Sequence, residues 1–254
     1  MTVADVVGRT LVRCGIDAAF GVVGSGNFAV TNAMVAAGAR FVAARHEGGA
    51  ATMADAYARM SGGVAALTLH QGCGLTNAMT GIAEAAKSRT PLLVLAAETG
   101  AAAVRSNFRI DQNALATAVG AVAERVHTPA SAAADVVRAF RTAVEQRRTV
   151  VLNLPLDVQA APAADGPPPA LPALAPVRAD AGAVAELAAL IAAAERPVFV
   201  AGRGARSAGR ALRALGTACS PATRGRWASP AASPRRWPPS WSATLTSSSG
   251  GAAR

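Results

Sequence analysis

A glutamate at the junction between a strand pattern and a helix pattern is well placed for acid–base chemistry. Glu47 follows the apolar run 41–44 and precedes the small residues 48–51. Apolar surroundings disfavour the charged form of a carboxyl group unless a partner compensates, and groups placed in this way concentrate at functional sites. Glu47 is therefore a candidate functional residue. The alternative is a surface residue in the first turn of a helix, where a carboxylate interacts favourably with the helix dipole.

Metal-binding motifs are not found in the sequence. His46 and Glu47 could begin the HExxH pattern of zinc proteases, but that pattern needs a second histidine at position 50, where Ala50 stands. The three cysteines, Cys14, Cys73 and Cys219, are odd in number and form no CxxC pair. The sequence thus predicts neither a disulfide framework nor a metal held by its own side chains.

His70 and two glycine turns are further candidates for a binding site. His70 ends a strand pattern, at the kind of strand end where open α/β sheets bind ligands, and imidazole is suited to proton transfer near neutral pH. The alternative is a structural histidine. The turn Gly24–Gly26 allows the backbone to approach a ligand closely. A plain connection between strand and helix is the alternative for this turn, whose spacing fits neither Walker A nor the dinucleotide fingerprint.

The elements that must position these residues alternate between extended and helical patterns. Such alternation predicts an α/β fold with a doubly wound parallel sheet covered on both faces. Strands are predicted over 18–23, 40–44, 64–70, 91–97 and 149–154, and helices before Gly15, from the turn 24–27 to about Gly38, and over 46–60, 76–87, 114–122 and 132–145.

The sequence changes character after residue 160. Residues 161–179 are rich in alanine and proline and are predicted to form a semi-rigid linker. Residues 180–216 predict a helix over 181–194, a strand over 197–201 and a helix to Leu215, which would begin an incomplete Rossmann-like central domain. Residues 217–254 lose all periodicity. We interpret them as a disordered basic tail or as the product of a reading-frame shift.

The net charge of +10 comes from the end of the chain. Residues 1–195 carry 15 basic and 15 acidic side chains, whereas residues 196–254 carry ten arginines and no acid. Because these arginines lack a regular scaffold, nucleic-acid binding is not predicted. The sequence has no signal-peptide pattern and no apolar run of about 18 residues, so a cytoplasmic protein without a membrane segment is predicted.

Four segments in register resemble the N-terminal pyrimidine-binding domain of thiamine-diphosphate-dependent enzymes. They are FGVVGSGNF (20–28), RHEGGAATMADAYARMSG (45–62), LHQGCGLTNAMTGIAEAAKSRTPLLVLA (69–96) and VVLNLPLDVQ (150–159). The resemblance covers residues 1–160 and is greatest to the group of acetolactate synthase, benzoylformate decarboxylase and pyruvate decarboxylase. The start of this family's central domain would continue to about residue 216.

The resemblance implies a role for each candidate residue. Glu47 would hydrogen-bond the aminopyrimidine of thiamine diphosphate and favour the tautomer that removes the thiazolium proton, and His70 matches a proton-transfer histidine of benzoylformate decarboxylase. Cys73 replaces the usual proline of a GPG(A/L)TN turn and is otherwise a small turn residue. The residues implied to contact the cofactor or substrate are Gly24, Ser25, Gly26, Glu47, Gly72, Cys73, Gly74, Asn77 and Gln112.

The resemblance also implies partners that this sequence does not itself supply. Family members hold Mg²⁺ and the diphosphate on a GDG...N segment of a C-terminal domain, and no such segment occurs here. We therefore expect a thiamine-diphosphate-binding fragment of a 2-oxo acid decarboxylase or carboligase, inactive alone and assembled as a homodimer or tetramer. The alternative is a non-catalytic or split-enzyme subunit that needs a separate diphosphate-binding chain. FAD occurs in some central domains, but the turn Gly202–Gly204 departs from the dinucleotide fingerprint.

Overall fold

The computed structural model describes residues 1–164, 166, 177–195 and 197–218. The chain divides into two units, Met1–Ala175 and Pro176–Arg254. The predicted domain boundaries at residues 160, 179 and 216 stay predictions. Most of the predicted linker and residues 219–254 lie outside the described part of the chain.

Helices and strands alternate through the first unit. Its strands are β1 (Ala18–Gly21), β2 (Arg40–Ala43), β3 (Ala65–Leu69), β4 (Leu92–Glu98), β5 (Val122–Arg125) and β6 (Thr149–Pro155), and its helices are α1 (Val3–Arg13), α2 (Phe28–Ala36), α3 (Glu47–Ser61), α4 (Cys73–Lys87), α5 (Gln112–Ala118), α6 (Ala132–Glu145) and α7 (Leu156–Ala160).

The six strands form one parallel sheet in the order β2-β1-β3-β4-β6-β5. The central strands β3 and β6 are buried at every position, as expected when helices cover both faces of a parallel sheet. One core packs α1, α2 and α6 against one face, and a second packs α3, α4 and α5 against the other. The predicted α/β class with a doubly wound parallel sheet is confirmed.

Two crevices follow from this strand order. The helix after β1 lies on one face of the sheet and the helix after β3 on the other, so the two connections diverge between adjacent strands. The same holds for β4 and β6, which are followed by α5 and α7. Open α/β sheets bind ligands at the carboxyl ends of strands where connections diverge in this way.

Several boundaries and two short elements in the first unit differ from the sequence prediction. Helix α5 ends at Ala118, and Gly120, with φ +84°, turns the chain into the unpredicted edge strand β5. The predicted helix over 114–122 was therefore wrong at its end, because this half-buried strand of four residues gives no clear alternation. Helix α4 begins at Cys73 rather than at Thr76, and the short helix α7 was not predicted.

The second unit contains α8 (Ala181–Ala193), a 3₁₀ turn (Arg203–Ala205) and α9 (Gly209–Ala218). The predicted strand over 197–201 is wrong, since these residues form no strand and the side chains of Val198 and Val200 are 86% and 91% exposed. Among the described residues, this unit offers no sheet for an apolar run to join, which explains the difference. No helix in the described residues is long and apolar enough to cross a membrane.

Candidate functional site

Asn27 organises the turn after β1 in the first crevice. Its side chain is fully buried, its Oδ1 accepts from the Gly24 N–H at 2.8 Å, and its Nδ2 donates to the Val22 carbonyl at 3.1 Å and to Thr68 Oγ1 at 3.0 Å. These bonds fix the turn Gly24–Gly26 against β3. The sequence analysis missed Asn27, although a polar residue just before an apolar helix is a signal that its side chain must find partners.

His70 lies between the two turns of the first crevice. Its Nδ1 accepts from the Gly26 N–H at 3.2 Å, so the neutral ring carries its proton on Nε2. Nε2 makes no hydrogen bond with any residue that the structure describes, and the ring packs edge-on against Phe108 with centroids 5.1 Å apart. The ring is thus held in place with one nitrogen open to a ligand.

Gly26 has no room for a side chain. A Cβ there would overlap Gln71 Oε1 and would lie 2.9 Å from both Ala97 Cβ and His70 Nδ1. A Cβ on Gly24 would come within 3.1 Å of the His70 ring. The close approach of this turn to His70 therefore requires glycine. The sequence analysis predicted a close approach of the turn but did not identify His70 as the residue that it contacts.

Glu47 is the first residue of α3, whose N-cap His46 accepts the Gly48 N–H at 3.0 Å through Nδ1. The Asn77 amide donates to Glu47 Oε2 at 3.1 Å, and a Cβ on Gly74 would lie 3.7 Å from Oε1. Glu47, Gly74 and Asn77 thus lie together, and their predicted contact with a cofactor stays a prediction. The expectation of an acid enclosed by apolar groups is not met, because Glu47 is only half-buried and Asn77 is exposed.

Gln112 braces the turn after β3. Its Oε1 accepts the Gly72 N–H at 3.1 Å, and its Nε2 donates to Asn153 Oδ1 at 2.7 Å and to the Ala97 carbonyl at 3.1 Å. Gly72 needs this support because its φ of +62° lies in the left-handed region. Gln112 is buried, so in this structure its side chain serves the turn, and Asn153 is a second buried amide that the sequence analysis missed.

Ser25 and Cys73 are exposed at the mouth of the crevice. The Cys73 Sγ lies 3.9 Å from the Gln71 carbonyl oxygen. Cys14 lies in α1's C-cap, and burial raises the pKa of its thiol to about 11. Of the two described cysteines, only Cys73 therefore stands beside the candidate site.

The crevice offers two hydrogen-bonding groups to a ligand. Its glycines let the two turns pack closely, Gly24, Gly26 and Gly74 against His70 and Gly72 against Phe108. Glu47 Oε1 and His70 Nε2 form no hydrogen bond with any residue that the structure describes. Within the described ranges no group of three His, Cys, Asp or Glu side chains could hold a metal ion. The arrangement can therefore present a carboxyl oxygen and an imidazole nitrogen to a ligand.

The family model described as thiamine pyrophosphate enzyme, N-terminal TPP binding domain, matches residues 1–123. The matched part of this chain includes the two turns, Glu47, His70, Asn77 and Gln112. Residues 1–123 are thus an N-terminal domain of the thiamine pyrophosphate enzyme family. The resemblance stated from the four sequence segments is confirmed.

Known relatives are longer than this chain. The protein named "Probable 2-ketoarginine decarboxylase AruI" from Pseudomonas aeruginosa is 34% identical over 223 residues, which are 85% of this chain and 40% of that protein. A catabolic acetolactate synthase of Raoultella terrigena is 34% identical over 205 residues, which are 78% of this chain and 36% of the relative.

A solved structure shares the fold. The thiamine diphosphate-dependent 4-hydroxybenzoylformate decarboxylase of Rhodococcus jostii RHA1 superposes with a TM-score of 0.69 at 24% identity, covering 78% of this chain and 38% of that one. The chain thus spans about two fifths of the length of these three proteins.

Proposed function

We propose that the first crevice binds the aminopyrimidine of thiamine diphosphate, with Glu47 as its proton-exchanging partner. The observation that carries this proposal is the group of Glu47, Gly74 and Asn77, in which one carboxylate oxygen is held and the other is open. Asn77 orients the carboxyl group through Oε2, so Oε1 can share a proton with a ring nitrogen. A Cβ at position 74 would lie 3.7 Å from that oxygen, so glycine keeps the space beside it free.

His70 is proposed to serve the reacting end of the same site. Its Nδ1 is occupied by the Gly26 N–H, so the proton on Nε2 is the one it can donate or take back. When bound, thiamine diphosphate supplies a carbon nucleophile for a 2-oxo acid and accepts the electron pair released as carbon dioxide leaves. The role of this chain would be to orient the ring and to move protons at Glu47 and His70.

We propose that this chain acts as part of a 2-oxo acid decarboxylase or carboligase. The family match and the relatives named decarboxylase and synthase support this class. Mg²⁺ and the diphosphate would be held by another domain or chain, and the exposed Val23 and Phe28 beside the crevice support a homodimer or tetramer that covers the site. We expect the 254-residue chain alone, with thiamine diphosphate, Mg²⁺ and pyruvate, to release no carbon dioxide.

A second candidate is a non-catalytic or split-enzyme subunit. The observation that favours it is the coverage, since the chain matches only 36% to 40% of its relatives' length. A split-enzyme subunit would become active when a separate diphosphate-binding chain is added, whereas a non-catalytic subunit would stay inactive. Carbon dioxide release from such a mixture, measured with and without the added chain, distinguishes the two candidates.

Binding of thiamine itself tests the proposed ring site without the diphosphate. Saturation-transfer NMR should detect transfer to the pyrimidine protons of thiamine. We expect Glu47→Ala to weaken thiamine binding about 10-fold, because it removes a hydrogen bond to a charged group. Glu186→Ala, at an exposed position on α8, is the matched control. Equal affinity of Glu47→Ala and the unaltered chain would refute the assignment of Glu47.

A further inference from the structure

The second crevice contains a cavity of about 330 Å³ that the proposed function does not use. It lies at the carboxyl ends of β4, β5 and β6, beneath the connection from β4 to α5. A volume near 300 Å³ is at the lower end of the range for small-molecule sites. Its charged and polar lining residues include Glu98, Thr99, Arg109, Arg125, His127 and Asp157.

Two buried polar atoms in this cavity have no partner. Glu98 Oε1 accepts from Arg125 Nη2 at 2.6 Å, whereas Glu98 Oε2 and Thr99 Oγ1 are buried without a hydrogen bond to any described residue. The Glu98 side chain is only 14% exposed, and its burial raises the pKa of the carboxyl group against the opposing effect of Arg125. Buried polar atoms are nearly always paired, so these two indicate a partner that the chain does not provide.

The same cavity contains a cation whose charge opposes the rise that burial causes in the pKa of Glu98 but which contacts no described partner directly. The Arg109 guanidinium forms no hydrogen bond or ion pair with any residue that the structure describes, and the His127 ring is likewise without a described partner. Asp157, by contrast, accepts the Ala101 N–H and the Val158 N–H, each at 3.0 Å. The groups left for a ligand are therefore a guanidinium, an imidazole, a carboxylate oxygen and a hydroxyl.

We propose that this cavity binds a small carboxylic acid that carries a hydroxyl or ammonium donor beside its carboxylate. Arg109 would pair with the carboxylate, since a guanidinium matches that group with two hydrogen bonds. The donor would reach Glu98 Oε2. A 2-oxo acid lacks this donor, so the site goes beyond the proposed function and takes a different ligand class.

The two crevices share a wall. Phe108 lines the cavity and packs on His70, and Gln112 lines the cavity and holds Gly72. The acid would therefore lie directly behind the residues that shape the first crevice. Its binding can nevertheless be measured alone, because none of its proposed contacts involves Glu47.

Three acids of equal carbon number test the proposal by NMR titration of the 254-residue chain without thiamine. L-Lactate carries a hydroxyl donor, L-alanine an ammonium donor, and propionate no donor. We expect lactate or alanine to bind at least about 10-fold more tightly than propionate, because only these two satisfy Glu98 Oε2. Preference for lactate identifies a hydroxy acid as the ligand class, and preference for alanine identifies an amino acid.

Two arginine variants locate the site. Arg109→Gln should weaken binding of the preferred acid about 10-fold, whereas Arg105→Gln, an exposed arginine of the same loop that does not line the cavity, should leave it unchanged. The proposal is overturned if no acid binds, if propionate binds as tightly as both others, or if both variants behave alike. Loss of thiamine binding in Glu47→Ala with intact acid binding would show that the two sites are independent.

Discussion

Replacement of Gln112 by leucine tests whether one buried amide holds the two crevices together. Leucine has nearly the volume of glutamine, so Gln112→Leu changes polarity more than packing. It deletes three hydrogen bonds, from the Gly72 N–H, to the Ala97 carbonyl and to Asn153 Oδ1. All of these groups are buried, and water cannot easily replace the lost partner.

The expected cost follows from these three groups. A buried donor or acceptor that loses its partner costs about 1–3 kcal/mol, and local relaxation makes the sum smaller than three separate losses. We expect the free energy of unfolding of Gln112→Leu to fall by about 3–5 kcal/mol. With a urea dependence of about 2–3 kcal/mol/M, the midpoint should fall by about 1–2 M.

Urea unfolding followed by far-ultraviolet circular dichroism at pH 7.5 measures this change. Gln146→Leu, at an exposed position, is the matched control and should change stability by less than about 0.5 kcal/mol. A double-mutant cycle with Asn153→Leu should show a coupling energy of at least about 1 kcal/mol, because the two amides share a hydrogen bond. A loss below about 1 kcal/mol for Gln112→Leu, or additive effects in the cycle, would refute the role given to this amide.

Three further predictions concern Gly26, Asp135 and the cysteines. Gly26→Ala should lower the free energy of unfolding by about 1–3 kcal/mol, because the new Cβ would overlap Gln71. Gly49→Ala, with open space around it, should not lower it. Equal urea midpoints for the two variants would contradict the prediction. Burial opposes ionisation of Asp135, but the His127 N–H, Arg138 and Ser131 outweigh it and hold the pKa of Asp135 below 3.8. Its ionised form therefore stabilises the fold above about pH 4. The difference in unfolding free energy between Asp135→Asn and the unaltered chain should shrink as the pH falls below 3.8, and a constant difference would count against it. Iodoacetamide at pH 8 should label exposed Cys73 well before Cys14, because burial raises the pKa of the Cys14 thiol to about 11. Peptide mass spectrometry measures the order of labelling. Faster labelling of Cys14 would disprove the prediction.

Elements with strong local signals were predictable from the sequence. Helix α3 was predicted over 46–60 and spans Glu47–Ser61, because His46 caps its start and Gly62, with φ +78°, ends it. The buried strands β3, β4 and β6 differ from their predicted ranges by at most one residue at each end, since each is a continuous apolar run bounded by turn residues. The predictions for edge strand β5 and for residues 197–201 were wrong for the same reason. Whether a segment forms a strand depends on a neighbouring strand to pair with, and the local sequence pattern does not reveal that neighbour.

The candidate site was predictable in its residues more than in its contacts. Glu47, Gly74 and Asn77 were named together from the family resemblance, and the structure joins them. The long-range partners of Asn27 and Asn153 were not predictable, because Thr68 and Asn113 lie about 40 residues away in sequence. The sequence also led us to expect a fully enclosed Glu47, which is only half-buried. Apolar residues before and after Glu47 do not reveal which side chains cover it in the fold.

The hydrogen bonds of the candidate site join residues that are far apart in the sequence. The Gly26 N–H reaches His70 across 44 residues, Gly72 reaches Gln112 across 40, and Asn77 reaches Glu47 across 30. The two residues of each pair lie in turns or helices that follow different strands, so the geometry of the pair exists only while the strands remain paired. A substitution that leaves a cavity under the helices on either face of the sheet should therefore disturb the geometry of both crevices, even where it lies far from Glu47. A substitution at Gly74, near the start of α4, should instead impair the first crevice and leave the sheet and the second crevice intact.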